Sequence, residues 1–419
     1  MKTAKYLLIV YLFAGAVYAQ TKLTLNECYE KARANFPLIK QKEYIAQSKE
    51  YSVNNIWRGY LPQITISGQA AYQSDVTSLP IALPGNKIES VTKDQYKAVA
   101  DVTQVLYDGG VMSSQSNLQK AAAEVDEQKI EVELLKVKDR INQLYFGIIL
   151  FEEQLVQTEL LKKDLQGSLD KLNAAFANGT ATKPNVDLLK AEYLKTDQRE
   201  IEIKSSRKAF VEMLGLFLNQ SLNEYVLLER VNSTEIFSSE ISRPELKLYS
   251  SQGKMIDEQK ELVTAKILPK ASLFFQGGYG KPTLNMLKNN FDWFYIAGAK
   301  LSWSPSSLYT LGNENEIIEL NKKSVEAQKE TFLLNTKAGL KQQAAEIEKL
   351  KALIKVDKEI IEIRESVKLS AKAQLENGVV TLNDFIRELN AEDQAKQNLA
   401  IHQTQLMLAE QSYKTTIGN

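Results

Sequence analysis

Cysteine and histidine are almost absent: the 419 residues contain one of each, Cys28 and His402. A lone cysteine cannot close an intramolecular disulfide, and the two residues together cannot supply the several ligands of a metal centre. Triads that use histidine as base are excluded with them. Cys28 reads as a small apolar residue on a helix face, and His402 as part of a polar helical run. Neither sign of charge dominates, with 52 basic against 52 acidic residues, so composition offers no basic surface for nucleic acid. Acidic residues are plentiful but fall on helical stretches, where they read as solvated faces, and no catalytic constellation emerges. The chain is expected to be neither an enzyme nor a cofactor carrier. Long apolar runs are missing beyond the N-terminus: the longest, Leu144 to Phe151, is far short of the roughly 18 residues a membrane-spanning helix needs. Proline is scarce, nine residues in all, and each lies in or beside a predicted break, which leaves room for very long helices.

What is present begins with a secretory signal. Lys2 and Lys5 precede an apolar run from Tyr6 to Val17, and Val17-Tyr18-Ala19 before Gln20 offers a small-residue cleavage site, so residues 1–19 are expected to be removed on export. Thr24 and Glu27 have capping-box spacing and start a helix that should stop near Pro37; a second helix reaches about Gly59. The period then changes from 3.6 to 2. Strands are predicted at about 62–73 and 96–107. In the first, Ile64, Ile66, Gly68, Ala70 and Tyr72 alternate with Gln63, Thr65, Ser67 and Gln69. In the second, Tyr96, Ala98, Ala100 and Val102 oppose Lys97, Asp101 and Thr103. Tyr107-Asp108-Gly109-Gly110 ends that strand, and its glycines read as a strand-to-helix bend rather than a phosphate cradle. Long helices follow at about 112–177 and 184–216. The first would be on the order of 100 Å long, with Leu165, Leu169, Leu172 and Phe176 at coiled-coil spacing.

After a linker at 219–243 the order repeats: a helix from Pro244, strands at about 269–279 and 293–304, and helices at about 313–376 and 382–417. Leu340, Ile347, Ile354 and Ile361 recur with the heptad spacing. Pro62, Gly110 and Gly179 return as Pro269, Gly312 and Gly378, each about 200 residues on. The expected fold is therefore mainly α with a four-stranded antiparallel β contribution, long coiled-coil hairpins, and an internal duplication into a first repeat, 20–218, and a second, 244–419.

The turn between the two long helices of each repeat is the most informative stretch. In Asn178-Gly179-Thr180-Ala181-Thr182-Lys183-Pro184, Asn-Gly tolerates the left-handed conformation of a helix end. Thr182 is a candidate N-cap, and Pro184 fits the first turn of a new helix. The second copy, Asn377-Gly378-Val379-Val380-Thr381, again places a threonine three residues after the glycine.

Four strands can neither cover their apolar face nor close on themselves, and transmembrane barrels start at eight. That face carries Tyr72, Tyr96, Tyr279, Trp293, Tyr295 and Trp303 near strand ends, where aromatic girdles meet bilayer interfaces. The opposite face, read as Gln, Ser, Thr, Lys and Asp, suits a watery lumen. The strands read as one share of an oligomeric membrane barrel; three chains would supply twelve strands. The competing reading is a sheet packed on the helices in water.

Pro62-Gln63-Ile64-Thr65-Ile66-Ser67, Val102-Thr103-Gln104-Val105-Leu106-Tyr107-Asp108-Gly109-Gly110, Arg243-Pro244-Glu245-Leu246, Leu268-Pro269-Lys270-Ala271-Ser272-Leu273 and both Asn-Gly turns resemble the recurrent motifs of the TolC-type outer-membrane efflux proteins. The resemblance covers essentially the whole chain after the signal, in order. It implies a homotrimer whose 12-stranded β-barrel sits in outer-membrane lipid and continues as an α-helical barrel in the periplasm. It implies a passive exit duct for small molecules or proteins, working with a periplasmic adaptor and an inner-membrane pump. By the same resemblance Asn178, Gly179, Thr180 and Thr182, with Asn377, Gly378, Val379 and Thr381, are tips that meet the adaptor. The helices just beyond them would narrow the periplasmic entrance. There the family's aspartate, six residues after the turn glycine, is Asp384 in the second copy but Asn185 in the first, with Asp187 close by. A further acidic position is Arg387, and a tyrosine and arginine that lock some relatives are Leu375 and Val380. A constriction with fewer fixed negative charges and a weaker cation preference is expected. The competing function is an exported coiled-coil scaffold or adhesin without a pore, which suits the heptads but leaves the strands unexplained.

Overall fold

The computed structural model describes residues 22–77, 91–230, 240–286 and 288–418. The signal, residues 1–19, lies outside them, as do parts of the loop after the first strand and of the 219–243 linker. The first helix, α1 (Leu25–Asn35), opens on a capping box: Glu27 N–H donates to the Thr24 hydroxyl at 3.2 Å, and Thr24 N–H to the Glu27 carboxylate at 2.9 Å. Pro37 begins a 3₁₀ turn that leads into α2 (Lys40–Trp57). The other elements are β1 (Gln63–Tyr72), β2 (Asp94–Tyr107), α3 (Val111–Ala177), α4 (Lys183–Leu218), α5 (Pro244–Lys266), β3 (Lys270–Lys281), β4 (Asp292–Ser302), α6 (Leu308–Glu376) and α7 (Leu382–Ile417). Among the described residues no helix is long and apolar enough to cross a membrane.

Two compact units share these elements. One takes the chain up to Phe36, 134–241 and 337–419; the other takes 37–133 and 242–336. Each unit thus draws on both halves of the sequence, so contacts do not divide the chain at the 219–243 linker.

The second unit contains the sheet, antiparallel in the order β1-β2-β3-β4 and not closed. Cross-strand rows such as Gly68, Ala98, Tyr279, Trp293 and Ile66, Ala100, Gly277, Tyr295 place the alternating apolar residues on one face. The other face holds Gln63, Thr65, Ser67, Asp101 and Gln276, and the Gln276 amide donates to the Asp101 carboxylate at 2.6 Å. It is less polar than the sequence reading has it, because Phe274, Phe294 and Ile296 share it. The two phenylalanines pair with glycines, Phe274 with Gly298 and Phe294 with Gly278. A Cβ on Gly278 would meet the Phe294 ring at 2.8 Å and the Ala98 carbonyl at 2.7 Å. Glycine leaves room there for a ring to lie on the backbone.

Three boundaries differ from expectation. β2 starts at Asp94 and β4 ends at Ser302, so Trp303 lies beyond its strand, where its indole N–H donates to the Ile267 carbonyl at 2.9 Å. α6 begins at Leu308 and runs through Gly312, which is helical and not a break. At the β2–α3 junction Gly109 and Gly110 do take positive φ, +78° and +85°. Here the buried Asp108 carboxylate accepts from Gly110 N–H at 2.9 Å and Met112 N–H at 2.6 Å. The donors a phosphate would need are therefore occupied by the protein's own side chain, as the bend reading requires.

The first unit is helical and has two apolar clusters. One gathers Cys28, fully buried, with Ile141, Tyr145, Phe146, Ile148 and Leu214 from α1, α3 and α4. The Tyr145 hydroxyl lies 2.9 Å from the Leu23 carbonyl and 2.6 Å from that of Glu229, which ties the segment before α1 to the residues that follow α4.

Candidate functional site

The second cluster of the helical unit builds the candidate site. Leu161, Leu165 and Leu169 of α3, Leu189 of α4, Ala371 of α6, and Leu382, Phe385, Ile386 and Leu389 of α7 bury one another. They lie in the last turns of α3 and α6 and the first turns of α4 and α7. Both Asn-Gly turns are therefore brought to one end of a four-helix bundle. The heptad leucines carry this packing as far as Leu172, which is partly buried against the cluster; Phe176, nearer the turn, is exposed.

Each turn closes its first helix in the same way. Gly179 has φ +73° and Gly378 φ +72°, and the N–H one residue further reaches back across the helix end: Thr180 to the Ala175 carbonyl and Val379 to that of Gln374, both at 2.9 Å. A side chain at either glycine would be strained by the backbone conformation. Asn178, Gly179, Thr180, Asn377, Gly378 and Val379 are all exposed, so the turns present a free surface.

The turns differ in how they start the second helix. Thr381 closes a full capping box: Asp384 N–H donates to its hydroxyl at 3.2 Å, the hydroxyl donates to the Asp384 carboxylate at 2.7 Å, and Thr381 N–H reaches that carboxylate at 3.2 Å. Thr182 stands at the N-cap of α4 with no side-chain bond, a departure from its expected capping role. Its N3 partner is Asn185, exposed like Asp187. Arg387 lies 3.6 Å from Asp384 and also meets Glu388 at 3.2 Å. The Thr381 hydroxyl, then its N–H, then Arg387 hold the Asp384 carboxyl below the usual aspartate range. Asp384 is thus first a helix cap.

Ion pairs cross between the two helical hairpins, and pattern reading missed them. Arg199 of α4 meets Asp393 of α7 at 2.7 Å, Lys171 of α3 meets Glu376 of α6 at 3.2 Å, and Lys368 of α6 lies 3.6 Å from Asp164 of α3. Lys368 also bonds the buried Glu392 at 2.6 Å, which Lys396 approaches at 2.7 Å. Burial pushes the Glu392 carboxyl up, yet the bonds from Lys368 and Lys396 win and hold it below its ordinary value. Such pairs join residues far apart in sequence and leave no periodic trace. His402, placed by sequence in a polar run, has its Nδ1 2.6 Å from the mostly buried Asp357.

In the sheet unit, the predicted aromatic residues stand out from the apolar face. Trp293 is 77% exposed, Leu301 77% and Ile66 82%. Tyr279 packs beside Trp293 at 5.1 Å between ring centroids. Phe291, which the sequence reading left in a loop, joins them, 5.7 Å from Tyr279 and 6.2 Å from Tyr96. Its place two residues before Trp293 on the same alternation was the available signal. Tyr72, Tyr96, Tyr279, Trp293 and Tyr295 cluster at the end of the sheet nearest the hairpin loops, while Trp303 stands at the other end.

Comparison with known proteins agrees with this geometry. Residues 28–219 match the family model described as outer membrane efflux protein. No curated protein matches the chain in sequence. Among solved structures, the outer membrane protein VceC of Vibrio cholerae aligns with a TM-score of 0.69 at 13% identity, covering 94% of this chain and 96% of its own. The outer membrane channel CmeC of Campylobacter jejuni gives 0.67 at 14% identity, covering 94% and 85%. The open state of the MtrE outer membrane channel of Neisseria gonorrhoeae gives 0.65 at 13%, covering 94% and 89%. At such identities the likeness establishes the fold, and it extends through the second half that the family model does not reach. Residues 28–219 thus resemble the outer membrane efflux protein family, and over nearly its whole length the chain has the fold of solved outer-membrane channels.

Proposed function

We propose that three copies of this chain form an outer-membrane exit duct, each giving four strands to a 12-stranded barrel and its helices to a periplasmic tunnel. The observation that carries the proposal is the open sheet. β1 and β4 are edge strands, and an exposed row of backbone N–H and C=O groups is a liability that proteins pair or cover. Pairing β4 of one copy with β1 of the next removes every edge at once. The apolar face, with its aromatic residues at both ends, would then turn to lipid and the Asp101 face to the lumen.

In this reading the duct is passive. A periplasmic adaptor meets the exposed turns at Asn178–Thr182 and Asn377–Thr381, and an inner-membrane pump supplies the energy. Asn185, Asp187, Asp384 and Arg387 lie on the helices that narrow the entrance. Tyr72, Tyr96, Tyr279, Trp293, Tyr295 and Trp303, with Phe291, form the girdle. The duplication into repeats 20–218 and 244–419 gives each chain two hairpins with equivalent tips. Gel electrophoresis in SDS with and without prior heating tests the assembly: a membrane-fraction trimer band that collapses to monomer on heating is expected, and a soluble rod-like monomer would favour the exported scaffold instead.

A further inference from the structure

The chain contains two Asn-Gly pairs, Asn178-Gly179 and Asn377-Gly378, and both stand in the exposed turns. In such a pair the glycine backbone nitrogen can close a five-membered ring on the asparagine side-chain carbon once it has lost its proton. Glycine hinders that closure least, because it carries no side chain. Nothing lies within 4 Å of where a Cβ would stand on Gly179 or Gly378, so both turns leave open space for the ring.

The two backbones match. Asn178 N–H donates to the Ala174 carbonyl at 3.1 Å and Gly179 N–H to that of Phe176 at 3.0 Å. In the second turn Asn377 N–H donates to Ala373 at 3.2 Å and Gly378 N–H to Leu375 at 3.1 Å. The side chains do not match. Nδ2 of Asn377 also donates to the Ala373 carbonyl, at 2.8 Å, which ties the amide one turn back along α6. The Asn178 amide makes no such bond among the described residues and turns freely about its side-chain torsions.

We infer that Asn178 is a site of spontaneous deamidation, and that Asn377, with the same glycine neighbour, is held back by its side-chain bond. The Gly179 nitrogen, its proton given to water, attacks Cγ of Asn178. The N–Cγ bond forms, the Cγ–Nδ2 bond breaks, and the departing nitrogen takes up a proton and leaves as ammonia. Water then opens the ring at either carbonyl to give aspartate or isoaspartate; one water is consumed, and nothing is oxidised or reduced. Either product places a negative charge at the C-terminal end of α3, where the helix dipole disfavours it. Isoaspartate also adds a carbon to the backbone between the Asn178 and Thr180 N–H groups that close the helix. The reaction therefore gives the two turns of one chain different charge and loosens the first. It needs only an exposed turn, so it is independent of the transport reading.

The test is to age the purified full chain in neutral detergent at mildly alkaline pH, digest it at acidic pH, where the reaction stalls, and follow both turns by peptide mass spectrometry. The peptide containing Asn178 should gain the mass of an NH2-to-OH exchange about two- to fivefold faster than the one containing Asn377, the worth of one net hydrogen bond at an exposed site. In urea, where neither turn is folded, the two rates should converge. Asn178→Gln should abolish the gain in its own peptide and leave that at Asn377 unchanged. Equal rates in the folded protein, a faster rate at Asn377, or no gain at Asn178 would overturn the inference. So would a difference that survives urea, because the flanking sequence and not the fold would then set it.

Discussion

Replacing Thr381 by alanine removes two bonds that the other turn lacks. The hydroxyl that accepts from Asp384 N–H at 3.2 Å and donates to its carboxylate at 2.7 Å is lost. An N-cap threonine is worth about 1 kcal/mol over alanine, a roughly fivefold change in the opening equilibrium of the first turn of α7. Thr182→Ala deletes a hydroxyl with no cap bond and should cost no more than a few tenths of a kcal/mol. Amide hydrogen exchange, read by mass spectrometry on the intact protein, resolves the two sites. About fivefold faster exchange is expected at Leu382–Phe385 in Thr381→Ala, and none at 183–186 in Thr182→Ala. The carboxyl of Asp384 has a depressed pKa in the folded protein, so its part in the cap is complete above the ordinary aspartate value of 3.8 and is lost as pH falls through the lower folded value. The difference between Thr381→Ala and the parent should therefore persist at neutral pH and shrink on strong acidification. Equal effects of the two substitutions, or a difference that grows on acidification, would refute the reasoning. The converse change, Asn185→Asp, should slow exchange at the start of α4.

Leu165 is fully buried where both turns pack, so Leu165→Ala should cost about 2–5 kcal/mol, read as a lowered thermal transition. Glu392→Leu leaves the mostly buried Lys368 without its 2.6 Å partner, though Asp164 remains at 3.6 Å; a loss of about 3 kcal/mol is expected, most of it recovered in the Lys368→Met/Glu392→Leu double variant. A double variant no better than the single would mean the loss is a packing effect. In planar bilayers the protein should be only weakly cation-selective, and Asp384→Asn should change that little; strong selectivity abolished by this one substitution would contradict the entrance as read here.

How much the sequence disclosed depended on whether a feature is periodic. The strands announced themselves because Ile64, Ile66 and Tyr72 alternate with polar residues, and the long helices because proline is confined to breaks. The glycines of both turns were legible because the conformation they adopt favours glycine. Gly312 misled for the complementary reason: a helix tolerates an isolated glycine at modest cost, and Pro305 alone marks the true break. Phe274 and Phe294 were lost among polar neighbours because their partners, Gly298 and Gly278, are on other strands, and only pairing reveals that a ring fills the space above a glycine. Arg199–Asp393 and Lys171–Glu376 were invisible for the same reason, being contacts between segments about 200 residues apart.

The contrast between Asn185 and Asp384 takes on a different meaning in three dimensions. Read along the chain, it is a missing charge at a constriction. In the structure it is a difference in helix initiation: α7 starts on a capping box, whereas α4 starts on Pro184 with no side-chain bond from its N-cap threonine. An aspartate whose carboxylate is held by its own N-cap threonine and faces Arg387 presents less free charge to a pore than one pointing into water. In the proposed duct, capping and charge at the entrance are competing uses of one side chain. Exchange at the first turn of α7 and ion selectivity in a bilayer measure them separately; under the proposed duct, Thr381→Ala, by releasing the Asp384 carboxylate from its cap, is expected to raise the cation preference even as it loosens the turn.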